Sequence, residues 1–361
     1  VSTITQSPPR TTTPAWTGFI KRPEFITLCL IVVFCIAVTV VNPTFFSLKT
    51  LSDTLRATIT SGIFALGVLL VLAAGGIDVS FTAIGIFALY ATTRLTLGLW
   101  PDAPYLVMVL IGVGMGVLMG MMNGFLVYRF NVPSLIVTIG TSYLFSGFLK
   151  AFIGSKHIMD IPPAMTTAGQ ATLVQVLSTG DIEVTKQAGS SIPGALIQFV
   201  TAGDAPRIAL PVLFLVLVLA AALTWFILNR TLLGRAVYAV GGSIPIAERL
   251  GFSVRTVMLF VFGYAGLLAG LGGMIHGALN RQANPSDLVG TELNVIAAVV
   301  LGGARITGGT GTVLGTLLGV VLIELITNNL ILMGVPSTWQ KVVIGAIILV
   351  ASFVFARRGT T

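Results

Sequence analysis

Charge is what this sequence lacks most. Asp, Glu, Lys and Arg make up 9% of its 361 residues against a hydrophobic share of 55%, and the mean hydropathy is +1.00. Soluble domains carry about 25% charged residues, so a soluble globular chain is excluded and a polytopic membrane protein is expected. Cysteine is scarce too: Cys29 and Cys35 are the only two. Six residues apart in one apolar run, they point roughly 240° apart on a helix, which argues against a mutual disulfide and for plain packing or lipid-facing roles. His157 and His276 stand alone, so no metal-ligand cluster is expected. The formal net charge of +8 does not indicate nucleic acid. Most basic residues lie in short connections and near the termini, which is the positive-inside pattern.

Nucleotide chemistry is missing as well. A P-loop needs a Gly-Lys dipeptide, and the six lysines (Lys21, Lys49, Lys150, Lys156, Lys186 and Lys341) follow Ile, Leu, Leu, Ser, Thr and Gln. The glycine-rich run 302–315 lies between apolar spans and supplies no GxGxxG in register. No Ser/His/Asp or Cys/His arrangement is evident, and no two acids share a helix face. The chain is therefore expected to hold no catalytic residue, cofactor or metal, and to hydrolyse no ATP by itself.

What is present is a series of apolar runs near the ~20 residues a bilayer requires. They fall at 25–41, 55–74, 79–97, 105–128, 135–153, 208–228, 257–279, 293–303, 313–333 and 338–356. The run 293–303 is too short to cross alone and predicts a broken helix backed by protein. Residues 1–24, rich in Ser, Thr and Pro at first, read as a disordered cytoplasmic tail. Lys21 and Arg22 precede the first span, and Asn42-Pro43 follows it instead of a small-x-small cleavage site, so an uncleaved span is expected. The fold class is all-α: about ten transmembrane helices, some short or broken, with both termini cytoplasmic and 357–361 as a second tail. Arg129, Arg357, Arg358 and the arginines of 229–257 then lie inside, and Asp102 and the segment 154–207 outside. That outer segment shows no apolar periodicity of its own. It reads as a long loop, one that docks an external partner, closes the outer mouth or simply moves.

Glycine, at 41 residues, recurs with a period of four: Gly112, Gly116 and Gly120; Ala265, Ala269, Gly273 and Gly277; Gly311, Gly315 and Gly319. Small residues at that spacing let helix backbones approach within lipid, inside one subunit or between two. Gly-Gly breaks at 75–76 and 302–303 join successive spans with almost no loop. Acids among the spans are Asp78 and Glu324, with Glu292 expected near an outer end. A carboxylate there is costly and usually paired or functional. Asp78 reads as a cap for the next helix, as a gating or substrate contact, or as both. Polar residues among apolar runs give the pathway candidates Asp78, Ser80, Asn123, Thr138 and Asn294.

The basic interruption 229–257 carries Arg230, Arg235, Arg249 and Arg255 against Glu248. Ser243 as N-cap, Pro245 in the first turn and Gly251 beyond the end delimit a short helix. So short a helix is not stable alone, so it packs on its own chain or docks into a partner.

Three motifs occur in order: GGIDVS at 75–80, the loop 234–251 (Gly234 followed by RAVYAVGGSIPIAERLG), and ELNVIAAVVLGGARITGGTGTVLGTLLG at 292–319. Together they closely resemble the permease subunits of bacterial ABC importers for ribose and related pentoses, over about residues 25–356. The resemblance implies a multi-pass protein of the bacterial inner membrane that imports a small sugar by alternating access. It also implies a second permease copy or paralogue, separate ABC ATPase subunits that bind ATP and Mg, and a periplasmic sugar-binding protein. In that family the loop matching 234–251 carries the helix that couples to the ATPase, which implies that role for Ile246, Ala247, Glu248, Arg249 and Leu250. The family usually continues the first motif as GGIDLSVG, whereas Phe81 and Thr82 stand here. That leaves the solute open among a sugar, a sugar alcohol and a sugar-like signal such as autoinducer-2. An ion-coupled secondary carrier or a passive facilitator for a small polar solute are the alternative readings.

Overall fold

The computed structural model describes residues 23–178, 195–201, 208–330 and parts of 334–349. The two expected tails, apart from Pro23 and Glu24, lie outside the described residues, as do 179–194 and 202–207 of the outer segment and most of the expected last span.

In chain order the helices are α1 (Pro23–Val41), α2 (Leu48–Ala73), α3 (Phe81–Leu99), α4 (Tyr105–Phe130), α5 (Ser134–Phe148, prolonged by a π turn to Ile153) and α6 (Pro163–Gln170). Strands β1 (Thr172–Ser178), β2 (Ala195–Thr201) and β3 (Ile208–Pro211) follow. Then come α7 (Leu213–Arg230), α8 (Leu232–Gly242), α9 (Ile244–Arg249), α10 (Val254–Asn280), α11 (Glu292–Leu301) and α12 (Val313–Asn329). Seven of them, α1 to α5, α7 and α10, are long and apolar enough to cross a membrane, and α11 and α12 are shorter apolar helices. This is a polytopic membrane protein with a helical membrane body.

Local chemistry sets the helix ends. Ser47, Ser253 and Thr312 each accept a hydrogen bond from a backbone N–H three residues on, opening α2, α10 and α12. Helix α4 stops where Asn131 turns left-handed (φ 51°) two residues before Pro133.

The core is built on α2 and α10, each 78% buried, whereas α1 is 11% buried and lies at the rim. Water does not drive helices together inside lipid, so close backbone approach must hold them. The glycine faces supply it. Gly112, Gly116, Gly120 and Gly124 of α4 run against Met258, Phe262, Gly266, Gly270 and Met274 of α10. The neighbouring face of α10 meets Gly67 of α2 through Ala265 and Gly85 of α3 through Ala269 and Gly273. Gly315 and Gly319 of α12 meet Gly302 and Ala298. Each stripe read from the sequence thus packs within the chain.

The segment expected as an outer loop is partly structured. Helix α6 and a three-stranded sheet of order β2-β1-β3 occupy it, with β1 parallel to β2 and antiparallel to β3. The sheet is tied to α2 by the Ser52 hydroxyl, which donates to the Ala209 carbonyl at 3.1 Å. An Ile158–Ala283 bridge ties the start of the segment to the turn after α10. The span expected from residue 208 starts instead at Leu213, because the apolar strand Ile208–Pro211 runs into an apolar helix. Hydropathy alone does not see that boundary.

The α4–α10 seam yields a stability prediction. A methyl group on Gly120 would overlap the Phe262 carbonyl oxygen, whereas one on Gly140 meets nothing within 4 Å. Thermal unfolding in detergent is expected to show Gly120→Ala destabilised by about 1–3 kcal/mol and Gly140→Ala within about 0.5 kcal/mol of the parent.

Candidate functional site: a glycine junction, a polar break and a cavity

Three backbone breaks meet at one point. Helix α2 ends at Ala73, and the chain turns through Gly75 (φ 82°). The Ala73 carbonyl accepts the Gly309 N–H at 3.0 Å. Gly241, at the end of α8, lies between them, so close that an added Cβ would overlap Ala73 O and come within 2.7 Å of Gly309 N. Gly308 (φ 89°) packs on Gly75 and Gly241. The Tyr238 hydroxyl of α8 donates to the Gly311 carbonyl at 2.8 Å. The end of α8 is thereby fastened both to the end of α2 and to the connection between α11 and α12.

From this junction residues 76–80 form neither helix nor strand before α3 begins. Side chains satisfy the backbone that no helix does. The Ile77 N–H donates to Ser134 Oγ at 2.8 Å and the Val79 N–H to Thr138 Oγ1 at 3.3 Å, both on α5. Asp78 Oδ1 accepts from the Ser80 N–H and hydroxyl, each at 2.7 Å, and Asn123 Nδ2 donates to Ser80 Oγ at 2.8 Å. Asp78, Ser80, Asn123 and Thr138 are all buried. Four of the five pathway candidates are therefore brought together, as one network that holds the break. Asp78 closes a turn onto Ser80, the residue that precedes α3, and the Ser80 side chain makes no cap bond to α3 itself.

Asn294, the fifth candidate, lines a separate cavity of about 220 Å³ between α2, α11 and α12. Its polar wall is Thr60, Ser61, Thr291, Asn294, Glu324 and Thr327, and among the described residues no Lys or Arg lines it. Ser61 Oγ donates to Glu324 Oε1 at 2.5 Å, and Asn328 Nδ2 donates to Oε2 at 3.3 Å. Phe64 lines the same space and packs on Phe81, ring centroids 5.4 Å apart. The Thr82 hydroxyl donates to Glu292 Oε1 at 2.6 Å. Glu292 opens α11, and the far end of that helix packs by Gly302 on Gly315. Ten residues of helix put Glu292 about 15 Å from that end, where its half-buried carboxylate faces Thr82 in the first turn of α3. Thr60, Ser61, Thr291 and Thr327 escaped the sequence reading. Their one signal is hydroxyls and an acid facing each other at helical spacing, Ser61 opposite Glu324 and Thr327.

Helix α9 hangs below the junction and packs on α8 and the start of α10. Its end is a Schellman turn: Gly251 (φ 83°) donates to the Glu248 carbonyl and the Phe252 N–H to that of Ala247. Ser243 stands at the N-cap position without a side-chain cap bond, and a proline fills the first turn. Ala247 is fully buried, while Ile246 (57%) and Leu250 (66%) are exposed and Glu248 and Arg249 flank them in the open.

At the far end of α10, His276 Nε2 pairs with Asp287 Oδ2 at 2.8 Å and holds the turn that leads to α11. The His276 hydrogen bond, with its charge and the Leu288 N–H in support, keeps the Asp287 carboxyl below the usual carboxylate range against the opposing effect of burial.

Two measurements follow. Asp78→Ala leaves two buried donors on Ser80 unpaired and is expected to cost about 2 kcal/mol or more, with Asp78→Asn milder because an acceptor remains; thermal unfolding checks both. A depressed folded pKa stabilises above the ordinary carboxylate value and is lost as pH falls through the folded one. The stability difference between parent and Asp287→Asn should therefore shrink as pH falls below about pH 4, read from melting curves across acid pH.

A family model described as branched-chain amino acid transport system / permease component matches residues 50–352. The chain is 30% identical over 340 residues to the xylose transport system permease protein XylH of Haemophilus influenzae, covering 86% of this chain and 89% of that one. It is 29% identical over 354 residues to the ribose import permease protein RbsC of Escherichia coli K12, covering 98% of each. No solved structure matches. A helical body broken at glycine junctions around a polar cavity, matched over most of its length, places this chain in the transport-system permease-component family, as a transporter subunit and not an enzyme.

Proposed function

We propose that this chain is the permease subunit of an ATP-driven ABC importer that moves a small, uncharged sugar or sugar-like solute into the cytoplasm. The carrying observation is the surface of α9, where one buried residue, Ala247, anchors a helix that offers Ile246 and Leu250 outward between Glu248 and Arg249. Exposed leucine-sized side chains at helical spacing, ringed by charge, suit docking into an apolar groove of a soluble partner. With no P-loop in the chain, that partner is the ATPase, which would hold ATP and Mg. Ala247 sits on the permease side of the contact. Residues 25–356 form the permease domain, with about ten spans, both termini cytoplasmic, in the bacterial inner membrane. A second permease, identical or related, and a periplasmic sugar-binding protein complete the assembly.

The family description speaks of branched-chain amino acids, whereas the named relatives carry xylose and ribose. The cavity chemistry favours the sugar. A zwitterionic amino acid wants a cation for its carboxylate, and among the described residues no Lys or Arg lines the wall. Hydroxyls, one carboxamide and one carboxylate instead match the donors and acceptors of a polyol. Phe81 and Thr82 stand beside this cavity through Phe64 and Glu292, so the family departures fall where solute choice is made.

Coupling then has a physical route. Displacement of α9 carries α8, whose Gly241 end presses on Ala73 and Gly309. Those contacts move α2, which bears part of the cavity wall, and the connection between α11 and α12, the two helices that bear the rest of it. Packed contacts of this kind switch between arrangements more readily than they deform. Reversing the charge at Glu248 or Arg249 is expected to leave membrane insertion intact and to lower solute-stimulated ATP turnover roughly fivefold, equivalent to about 1 kcal/mol. The measurement is ATPase activity of the reconstituted assembly, and unchanged turnover would remove α9 from the coupling. Uptake into vesicles driven by an ion gradient with no ATPase present would replace the importer with a secondary carrier. Conduction without either would make it a facilitator.

A further inference from the structure

A groove of about 440 Å³ runs along the outside of the α4–α10 seam. Val117 and Met121 of α4 form one side, and Phe260, Gly263 and Leu267 of α10 the other. Its walls are apolar by construction. The Phe260 and Tyr264 rings stack with centroids 5.9 Å apart, and the Tyr264 hydroxyl is engaged with Thr224 Oγ1 at 2.9 Å. Gly263 keeps the floor low, since the one atom an added Cβ would meet within 4 Å is Met121 Cγ at 3.0 Å.

One end of the groove is closed by a cation. Arg255 lines it and is exposed, and among the described residues its guanidinium has neither an ion-pair nor a hydrogen-bond partner. Its own helix does not account for it, because a cation in the first turn opposes the helix dipole. Arg129 and Arg230, by contrast, each lie over an aromatic ring.

Length decides what fits. From Arg255 to Leu267 is twelve residues of helix, roughly 18 Å, close to the ~15 Å depth of one leaflet and well short of the ~30 Å a crossing helix would need. A ligand that is anionic at the water boundary and apolar for one leaflet's depth is a phospholipid, not a partner span.

We propose that this groove binds one anionic phospholipid, with Arg255 holding the headgroup phosphate and an acyl chain lying along Met121, Phe260, Gly263 and Leu267. Like charge on the neighbouring arginines also draws anionic lipid to this end, but without the groove it gives no single seat. The site is separate from the cavity and from α9, and the inference stands whether or not the transport reading does.

The test uses the purified full chain in detergent, supplemented with phosphatidylglycerol or phosphatidylcholine of identical acyl chains, with retained lipid counted by native mass spectrometry. One phosphatidylglycerol per chain should be retained over phosphatidylcholine by roughly fivefold, the preference one basic side chain at the surface supplies. Arg255→Gln should bring the two lipids to parity, and Arg129→Gln, at the same end of the seam but outside the groove, should leave the preference intact. Equal retention by the parent overturns the proposal, as does a preference that survives Arg255→Gln. A preference lost equally in Arg129→Gln also overturns it, since that is the mark of diffuse attraction. Both substitutions are at exposed positions, and melting temperature in phosphatidylcholine verifies that each variant is folded.

Discussion

Backbone hydrogen bonding in the absence of water is the constraint on which this structure depends. Each N–H and C=O freed where a helix stops inside lipid costs several kcal/mol unless the protein meets it. The stretch 76–80 stops being helical, yet Ser134, Thr138 and Asp78 take up the freed amides of Ile77, Val79 and Ser80. Asn123 then secures Ser80 from α4. Asp78 is thus less an isolated charge than the acceptor that lets α3 start inside the body instead of at its edge. Because α3 starts there, Phe81 and Thr82 reach the neighbourhood of the cavity, and α11 can start opposite them with Glu292.

Glycine serves that constraint in two different ways. Along α4 and α10 it removes side chains so that two backbones touch over most of a membrane's depth. At the junction it removes side chains at single points, where Gly75, Gly241 and Gly308 stack with left-handed turns at Gly75 and Gly308. The first arrangement is a long, redundant contact that holds α4 and α10 as one piece. The second is a small contact between ends of different elements, which a shift of α8 alters at once. A structure that must be rigid in one place and switchable in another is using the same residue for both, by changing the length of the contact.

Much of this was legible in the residues. Apolar run lengths located the seven long apolar helices and the two shorter ones, the period of four gave the packing faces, and Ser243, Pro245 and Gly251 bracketed α9 as found. What escaped did so for definite reasons. The strand Ile208–Pro211 abuts α7 without any drop in hydropathy, so one apolar run held two elements. The cavity wall escaped because Thr60, Ser61 and Thr327 are ordinary hydroxyls singly, and acquire meaning only when α2 and α12 face each other. Asp78, Ser80, Asn123 and Thr138 were found as polar outliers, but polarity alone could not say that the first three bond to one another and Thr138 to the backbone of the break. The short length of 293–303 predicted a broken helix, yet not that Glu292 would begin it with its carboxylate held by Thr82 of α3.

Helix α2 joins these parts. Its last residue, Ala73, is clamped by Gly241 and Gly309, and Thr60 and Ser61 lie on the cavity. Twelve residues of unbroken helix separate Ser61 from Ala73, roughly 18 Å, and no Pro interrupts them. A rod of that length transmits a shift at one end to the other with little loss, and Ser61 holds Glu324 of α12 by a hydrogen bond. Helix α12 is itself attached to the junction through the 302–312 connection. The cavity therefore has α2 and α12 as two of its walls, sharing one fastening point at the α8 end and one polar contact at Ser61–Glu324, with α11 as the third. On the proposed route, moving the fastening point would change the spacing across Ser61 and Glu324 without passing through Asp78, whose network closes the break between α2 and α3.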